Sequence, residues 1–340
     1  MQKLNITGAV GAALLTLAFA APASQALAAG KPAAAMKAAD ISDAALVKSL
    51  PGFKNATAEV NGVHLHYVVG GQGEPLVLLP GWPETWWSFH KMMPELAKHY
   101  TVIVVDIRGM GASDKPAYGY DKKTLAGDIY QLVKTLGYER VNIAGHDIGS
   151  AVAYSFGANY PQATNKVVML ELPHPDESLL TFPLLPAHNT FTDKLDFAHP
   201  YLWWFAFNQV QGLPEQLLAG HARVQQDWLF KYFLKDEGAL DARDRAVYEK
   251  AYNTADAIRA SNGWYQTLTQ DIIDNKGYAK LEMPILAMGA PAYRWMSKVI
   301  PPKGTHVKVV NVEQSGHFIH EERPDFIAQS MIEFLQGDTQ

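Results

Sequence analysis

Val141-Asn-Ile-Ala-Gly-His-Asp-Ile-Gly149 decides how this chain is read. Val141 to Ala144 is a short, mostly apolar run of strand length, and Ile148 to Asn159 has the pattern of a helix. Between them Gly145 and Gly149 let the turn tighten and let the helix pack close to the strand. The side chain between the glycines, Asp147, is thereby thrust out above the end of the strand. This is the strand–turn–helix setting of the G-x-S-x-G elbow, with Asp in the Ser position. The competing reading makes Asp147 a plain helix N-cap. The run before it and the helix after it supply the context that the elbow requires.

Similar apolar runs recur on both sides: Pro75–Leu79, Thr101–Val105, Val167–Leu170, Pro284–Ala287 and Val307–Val310. Runs of this kind suit strands buried on both faces of a parallel sheet. Helical spacing separates them, as at Lys122–Leu136, Ile148–Asn159 and Pro324–Leu335. Two alternating runs, Thr57–Asn61 and Val63–Val69, flank Asn61-Gly62, a strong hairpin signal. After Glu171 the alternation stops. Residues 173–280 carry helical patterns and many aromatics but no convincing strand, and the stretch is too long for a loop. The expected fold is α/β, a mostly parallel central sheet flanked by helices, with a helical cap inserted after the sixth strand. Its parts are a core over 44–172, the cap over 173–280 and a second core segment over 281–340.

The N-terminus reads differently. Lys3, an apolar stretch from Ile6 to Ala21, and Ala26-Leu-Ala28 are the parts of a secretory signal peptide over 1–28. The stretch falls short of a membrane anchor, so export to the periplasm or the medium is expected rather than stable membrane attachment. An Ala/Lys-rich linker over 29–43 follows. The chain has no cysteine, which excludes zinc–thiolate, iron–sulfur and cysteine-nucleophile chemistry. No metal site or organic cofactor is expected. A net charge of −5 without a basic run argues against a nucleic-acid partner. Oligomeric state stays open, a homodimer included.

A carboxylate in place of serine suits displacement at a saturated carbon, giving an alkyl ester that activated water must hydrolyse. The base should follow late in the chain. His317, in Gln314-Ser-Gly-His-Phe318 just after the last run, fits that place. His320 nearby reads as an ordinary surface-loop histidine. The loop after Pro284–Ala287, Met288-Gly-Ala-Pro-Ala-Tyr293, holds no carboxylate to orient the imidazole. Glu171, at the end of the run before the cap, is the candidate for that role, with Asp176 and Glu177 as alternatives. In Leu79-Pro-Gly-Trp-Pro83 the backbone N–H of Trp82, together with that of Ile148, would converge on the ester oxygen.

Taken together, Gly145–Gly149, Asp106-Ile-Arg-Gly-Met-Gly-Ala-Ser113, Pro80-Gly-Trp-Pro83 and Ser315-Gly-His317 resemble the epoxide hydrolase and dehalogenase branch of the α/β-hydrolases. The resemblance spans roughly Ala58 to Leu335 and is nearest to exported Cif-like epoxide hydrolases, which also carry the acid as a glutamate before the cap. It implies a small hydrophobic substrate, water as the second reactant and no cofactor. It also implies that Tyr265 hydrogen-bonds a leaving oxygen or halide. Trp203 falls where Cif-like enzymes have a histidine, and Pro80 where the branch usually has a histidine. Ile148 and Ala151 replace the arginines that grip fluoroacetate in its dehalogenases. Trp203, Trp204, Trp264 and His146 are the candidate substrate-binding side chains. An epoxide hydrolase is the first expectation, a dehalogenase with the same Asp147–His317–Glu171 set the second, and a non-catalytic binding protein the third.

Overall fold

The sheet is built from eight strands. They are β1 (Phe53–Val60), β2 (Val63–Gly71), β3 (Glu74–Leu79), β4 (Tyr100–Val105), β5 (Val141–His146), β6 (Thr164–Leu170), β7 (Ile285–Gly289) and β8 (Val307–Asn311). The computed structural model describes residues 40–190, 192–196 and 199–337. The expected signal peptide and the expected linker up to residue 39 lie outside the described residues. The strand order is β1-β2-β4-β3-β5-β6-β7-β8. β2 pairs antiparallel with β1 and β4, and the remaining neighbours are parallel. This is the expected α/β fold.

Local chemistry accounts for the pieces. Asn61 and Gly62 both take positive φ, 49° and 76°, as the tight β1–β2 hairpin requires. Leu76, Leu78, Val102, Val104, Ile143, Val167 and Val168 are fully buried, because helices cover both faces of the parallel strands. β8 departs from the expectation of a buried strand. It is the sheet's edge, and its residues are half-buried or exposed, as the interruption Val-Lys-Val-Val allows. The helix expected over Lys122–Leu136 spans Lys122–Thr135 and is capped by the Asp121 side chain.

Chain order reverses beside β3: the strand enters from the β2 hairpin, and β4 and β5 lie on its two sides. Crevices for ligands open at the carboxyl ends of parallel strands at such a point. The chain leaves the sheet after β6 and returns at β7. Between them the described residues hold six α-helices, among them Trp203–Phe207, Ala222–Phe233, Ala242–Tyr252, Ala255–Gln266 and Leu268–Gly277, and no strand.

These cap helices are tied to the core by polar bonds. Lys122 and Asp271, both fully buried, form an ion pair at 2.8 Å, and Lys122 N–H donates to the same carboxylate at 2.8 Å. Trp87 Nε1 donates to Asp244 at 2.7 Å, and Tyr248 OH to Glu321 at 2.5 Å. Among the described residues no helix is long and apolar enough to cross a membrane.

Removing one partner of a buried ion pair leaves the other charge uncompensated. Lys122→Met should therefore cost about 3–5 kcal/mol of unfolding free energy in urea titration. The double change Lys122→Met/Asp271→Leu should recover most of that loss; equal destabilisation by both variants would contradict this account.

Candidate active site

The end of β5 fixes the site. A Cβ on Gly145 would lie 2.0 Å from the Gly149 carbonyl oxygen, and one on Gly149 would lie 2.1 Å from that of Leu79. Only glycine permits these approaches, so the helix Ile148–Asn159 starts immediately against the sheet. Asp147 is left at φ 50°, ψ −120°. A non-glycine residue there stores about 1–3 kcal/mol of backbone strain. Its N–H is held by the Leu170 carbonyl at 3.1 Å.

Its carboxylate faces partners from two other strand ends. Trp82 N–H, in the loop after β3, donates to Oδ1 at 3.1 Å. His317 Nε2, in the loop after β8, lies 3.4 Å from Oδ2. Ile148 is the first residue of the helix, so its N–H is among those left without an intrahelical acceptor. The other imidazole nitrogen, His317 Nδ1, is 3.1 Å from Glu171 Oε2. Asp147, His317 and Glu171 thus come together in one buried line.

Glu171 is held from β7 as well. Its own N–H donates to Met288 O at 2.9 Å, and the Ala290 N–H, with that of Ala292 at 3.4 Å, donates to Oε1. The loop after β7, which carries no acid, supplies backbone donors to the acid of the neighbouring strand. Asp176 and Glu177 point elsewhere: Asp176 caps the turn at Ser178 and pairs with Lys303, and Glu177 pairs with Lys276.

Electrostatics couple the three groups. Burial opposes charge on His317, but its bonds to Asp147 and Glu171 and their charges raise its pKa to about 10. Burial also opposes ionisation of Asp147, yet the His317 bond and charge outweigh it and hold the carboxyl below its usual value. At Glu171 burial prevails and the pKa is raised. In the resting site Asp147 is therefore the anion and His317 the cation.

A cavity of about 800 Å³ opens over Asp147. Trp82, Trp204, Tyr265, Phe205 and Leu179 line it together with Asp147, Glu171 and His317. Burial, with the Asp147 charge adding to it, pushes the Tyr265 phenol well above its ordinary pKa, so the phenol keeps its proton. The side chains of Trp204 and Asn208 oppose that shift.

Three expected substrate contacts are corrected. Trp264 is fully buried and donates its Nε1–H to Arg108 O at 3.1 Å, away from the cavity. Trp203 packs edge-on against Trp204 and Trp228 and does not line the cavity. His146 is fully buried behind His317 and bonds to Glu84 and to the His317 carbonyl. His320 is not a surface residue either; it is fully buried against Glu84. Sequence reasoning also missed Phe233. Its ring lies 4.8 Å from the His317 ring, and its carbonyl accepts the His317 N–H at 3.2 Å. Only its place at the end of a cap helix hinted at that contact.

Glu84, His146 and His320 also bring potential metal-ligating atoms within 4.8 Å of one another. Glu84 already bonds to His146 and faces His320 at 3.2 Å, so the charges of the group are met internally.

Known proteins resemble the chain over most of its length. A family model described as the alpha/beta hydrolase fold matches residues 74–324. A soluble epoxide hydrolase of Corynebacterium sp. (strain C12) is 29% identical over 294 residues, covering 82% of this chain and 96% of its own. A fluoroacetate dehalogenase of Burkholderia sp. is 27% identical, with 84% and 94% covered. Among solved structures, the Cif epoxide hydrolase from Acinetobacter nosocomialis superposes with a TM-score of 0.74 at 22% identity, covering 89% and 99%, a likeness of fold. The resemblance read from the elbow and its neighbouring motifs is borne out.

Asp147→Asn should remove a charge that holds His317 near a pKa of about 10. NMR titration of the histidine ring should then find His317 releasing its proton at lower pH than in the parent protein. An unchanged midpoint would show that Asp147 does not set it.

Proposed function

This chain belongs to the alpha/beta hydrolase fold family and is a hydrolase, and from that premise we propose that it opens a hydrophobic epoxide to a diol through an ester on Asp147. The observation that carries the reading is the buried, protonated Tyr265 phenol lining the same cavity as the Asp147 carboxylate. An epoxide leaves as a basic alkoxide and needs a proton donor; a halide does not.

In this reading Asp147 attacks a ring carbon and the C–O bond breaks. The freed oxygen takes the Tyr265 proton. Ester formation neutralises Asp147, which removes one of the charges that raise the His317 pKa. His317 then yields its proton to solvent or product and becomes the base. It draws a proton from water at Nε2 while Glu171 holds Nδ1. The water oxygen adds to the Asp147 carboxyl carbon. The N–H groups of Trp82 and Ile148 receive the developing oxyanion. Collapse breaks the ester bond, frees the diol and restores the carboxylate. The proton on His317 passes to the departing oxygen; the acid proton that the added water leaves on Asp147 returns to His317, and the proton that His317 released earlier restores the Tyr265 phenol.

A dehalogenase is the second reading, favoured by the fluoroacetate dehalogenase relative and by the Trp204 indole on the cavity wall. Its first step expels halide in place of alkoxide, and the second step is the same.

Intact-protein mass spectrometry on His317→Gln separates the two. Without the base the ester should persist, and a panel of hydrophobic epoxides should add the whole epoxide mass. A gain equal to an organohalide minus hydrogen halide would replace the first reading by the second. Asp147→Ala should take up neither. If nothing labels His317→Gln while both panels bind, the non-catalytic alternative prevails.

A further inference from the structure

The loop that carries His317 is held by the cap as well as by the sheet. Val312 N–H, just after β8, still bonds to the Gly289 carbonyl at 2.8 Å. The donors nearest the base go elsewhere. The His317 N–H goes to the carbonyl of Phe233, the last residue of the cap helix Ala222–Phe233, at 3.2 Å. The Gly316 N–H goes to Oε1 of Glu322 at 2.7 Å. The rings of Phe233 and His317 lie 4.8 Å apart. A Cβ on Gly316 would stand 1.8 Å from the Phe233 carbonyl oxygen, so loop and cap meet backbone to backbone.

Glu322 ends the short helix Ile319–Glu322 that follows the base, and the reaction above gives it no part. Its two oxygens face different segments. Oε1 accepts the Gly316 N–H and, at 3.3 Å, the Ser315 hydroxyl. Oε2 accepts the Lys235 N–H at 2.9 Å and the Asp236 N–H at 3.0 Å, where the chain leaves the cap helix. A carboxylate accepts at both oxygens, so this one side chain holds the base loop and the end of the cap helix together. A carboxamide has a single acceptor oxygen and could serve only one of them.

We propose that Glu322 is a positioning residue that clasps the cap segment 233–236 to the base loop 315–317 and so fixes where the His317 ring stands over the ester. The inference rests on the ester mechanism for its kinetic consequence but not for the clasp itself. Glu171 orients the imidazole through Nδ1, at 3.1 Å. Glu322 instead places the backbone that carries the imidazole. The cap is thereby part of the mounting of the base, and segment 233–236 cannot lift from the core without drawing on residues 315–317. A displacement of about 1 Å in such a group can cost about 100-fold in rate. Attack by Asp147 does not require the base, so the clasp bears on ester hydrolysis and far less on ester formation.

Two measurements keep the proposals separate. The first needs no turnover: amide hydrogen exchange, followed by NMR, should speed up about tenfold at Gly316, Lys235 and Asp236 together in Glu322→Ala, with the amides of the central strands unchanged. A rise on one side of the seam alone, or a rise throughout the sheet, overturns the clasp. If Glu322→Ala does not fold, the near-isosteric Glu322→Gln carries the test, and exchange should then rise at Gly316 or at Lys235 and Asp236 but not in the sheet. The second uses single turnovers with whichever epoxide or organohalide labels His317→Gln. Glu322→Gln should slow ester hydrolysis about 10- to 100-fold while changing ester formation less than about threefold. Equal slowing of both steps, with a lowered Tm, would mean that Glu322 only supports the fold and would overturn positioning; so would no change in either step. Failure of every substrate to label His317→Gln would sink the ester mechanism and the kinetic role with it, and the exchange result would then decide the clasp alone.

Discussion

Three backbones meet at the tip of β5 with no room for a side chain between them. The Gly149 backbone sits against Leu79 and Gly145 so closely that a single Cβ at either glycine would collide with a carbonyl. That contact forces the helix to start at once, and the positive φ of Asp147 follows from it. Much of the site is arranged around where this carboxylate ends up. The Trp82 N–H lies over one oxygen and His317 over the other. A wider turn would let Asp147 relax into ordinary backbone geometry and swing away from both. The strain at one residue is held by the packing of a whole strand against a whole helix.

Charge is distributed with the same economy. Asp147 and Glu171 flank one imidazole, and burial makes each carboxylate costly to ionise alone. Their shared partner stabilises both, and they in turn keep His317 protonated at rest. Under the proposed mechanism this balance is broken by the reaction itself, because an ester carries no charge. A base with a high resting pKa is then compatible with work near neutral pH, since its pKa falls when the ester forms.

Much of this was legible in the sequence, and what was not has physical reasons. The buried strands and the hairpin turn are local patterns, and Asn61-Gly62 and Gly145–Gly149 state their geometry directly. Glu171 could be placed because it ends a strand just before the alternation stops. The donors that hold it could not. They are backbone groups of Ala290 and Ala292, and a backbone N–H leaves no mark on residue identity. His146, at the end of β5, and His320, in the short helix Ile319–Glu322, were misplaced because the carboxylate that buries them comes from a distant part of the chain. Their partner, Glu84, is 62 residues from His146. Trp264 was misplaced for a related reason: its neighbour Tyr265 faces the cavity, and on a helix adjacent residues point in different directions. The edge position of β8 depends on strand order, which local patterns do not encode.

The cap is fastened unevenly. Helices Ala242–Tyr252 and Leu268–Gly277 are bound to the core by directional polar bonds through Asp244, Tyr248 and Asp271. The short helix Trp203–Phe207, which brings Trp204 and Phe205 to the cavity, rests instead on ring contacts with Trp228, Tyr232, Phe233 and Tyr265. Apolar packing tolerates volume-conserving exchange, whereas directional bonds do not. The packing at 202–207 can therefore accept apolar exchanges of similar volume that reshape the cavity wall, while the catalytic edge below keeps the same geometry. One face of the cavity is free to diversify because the other is anchored.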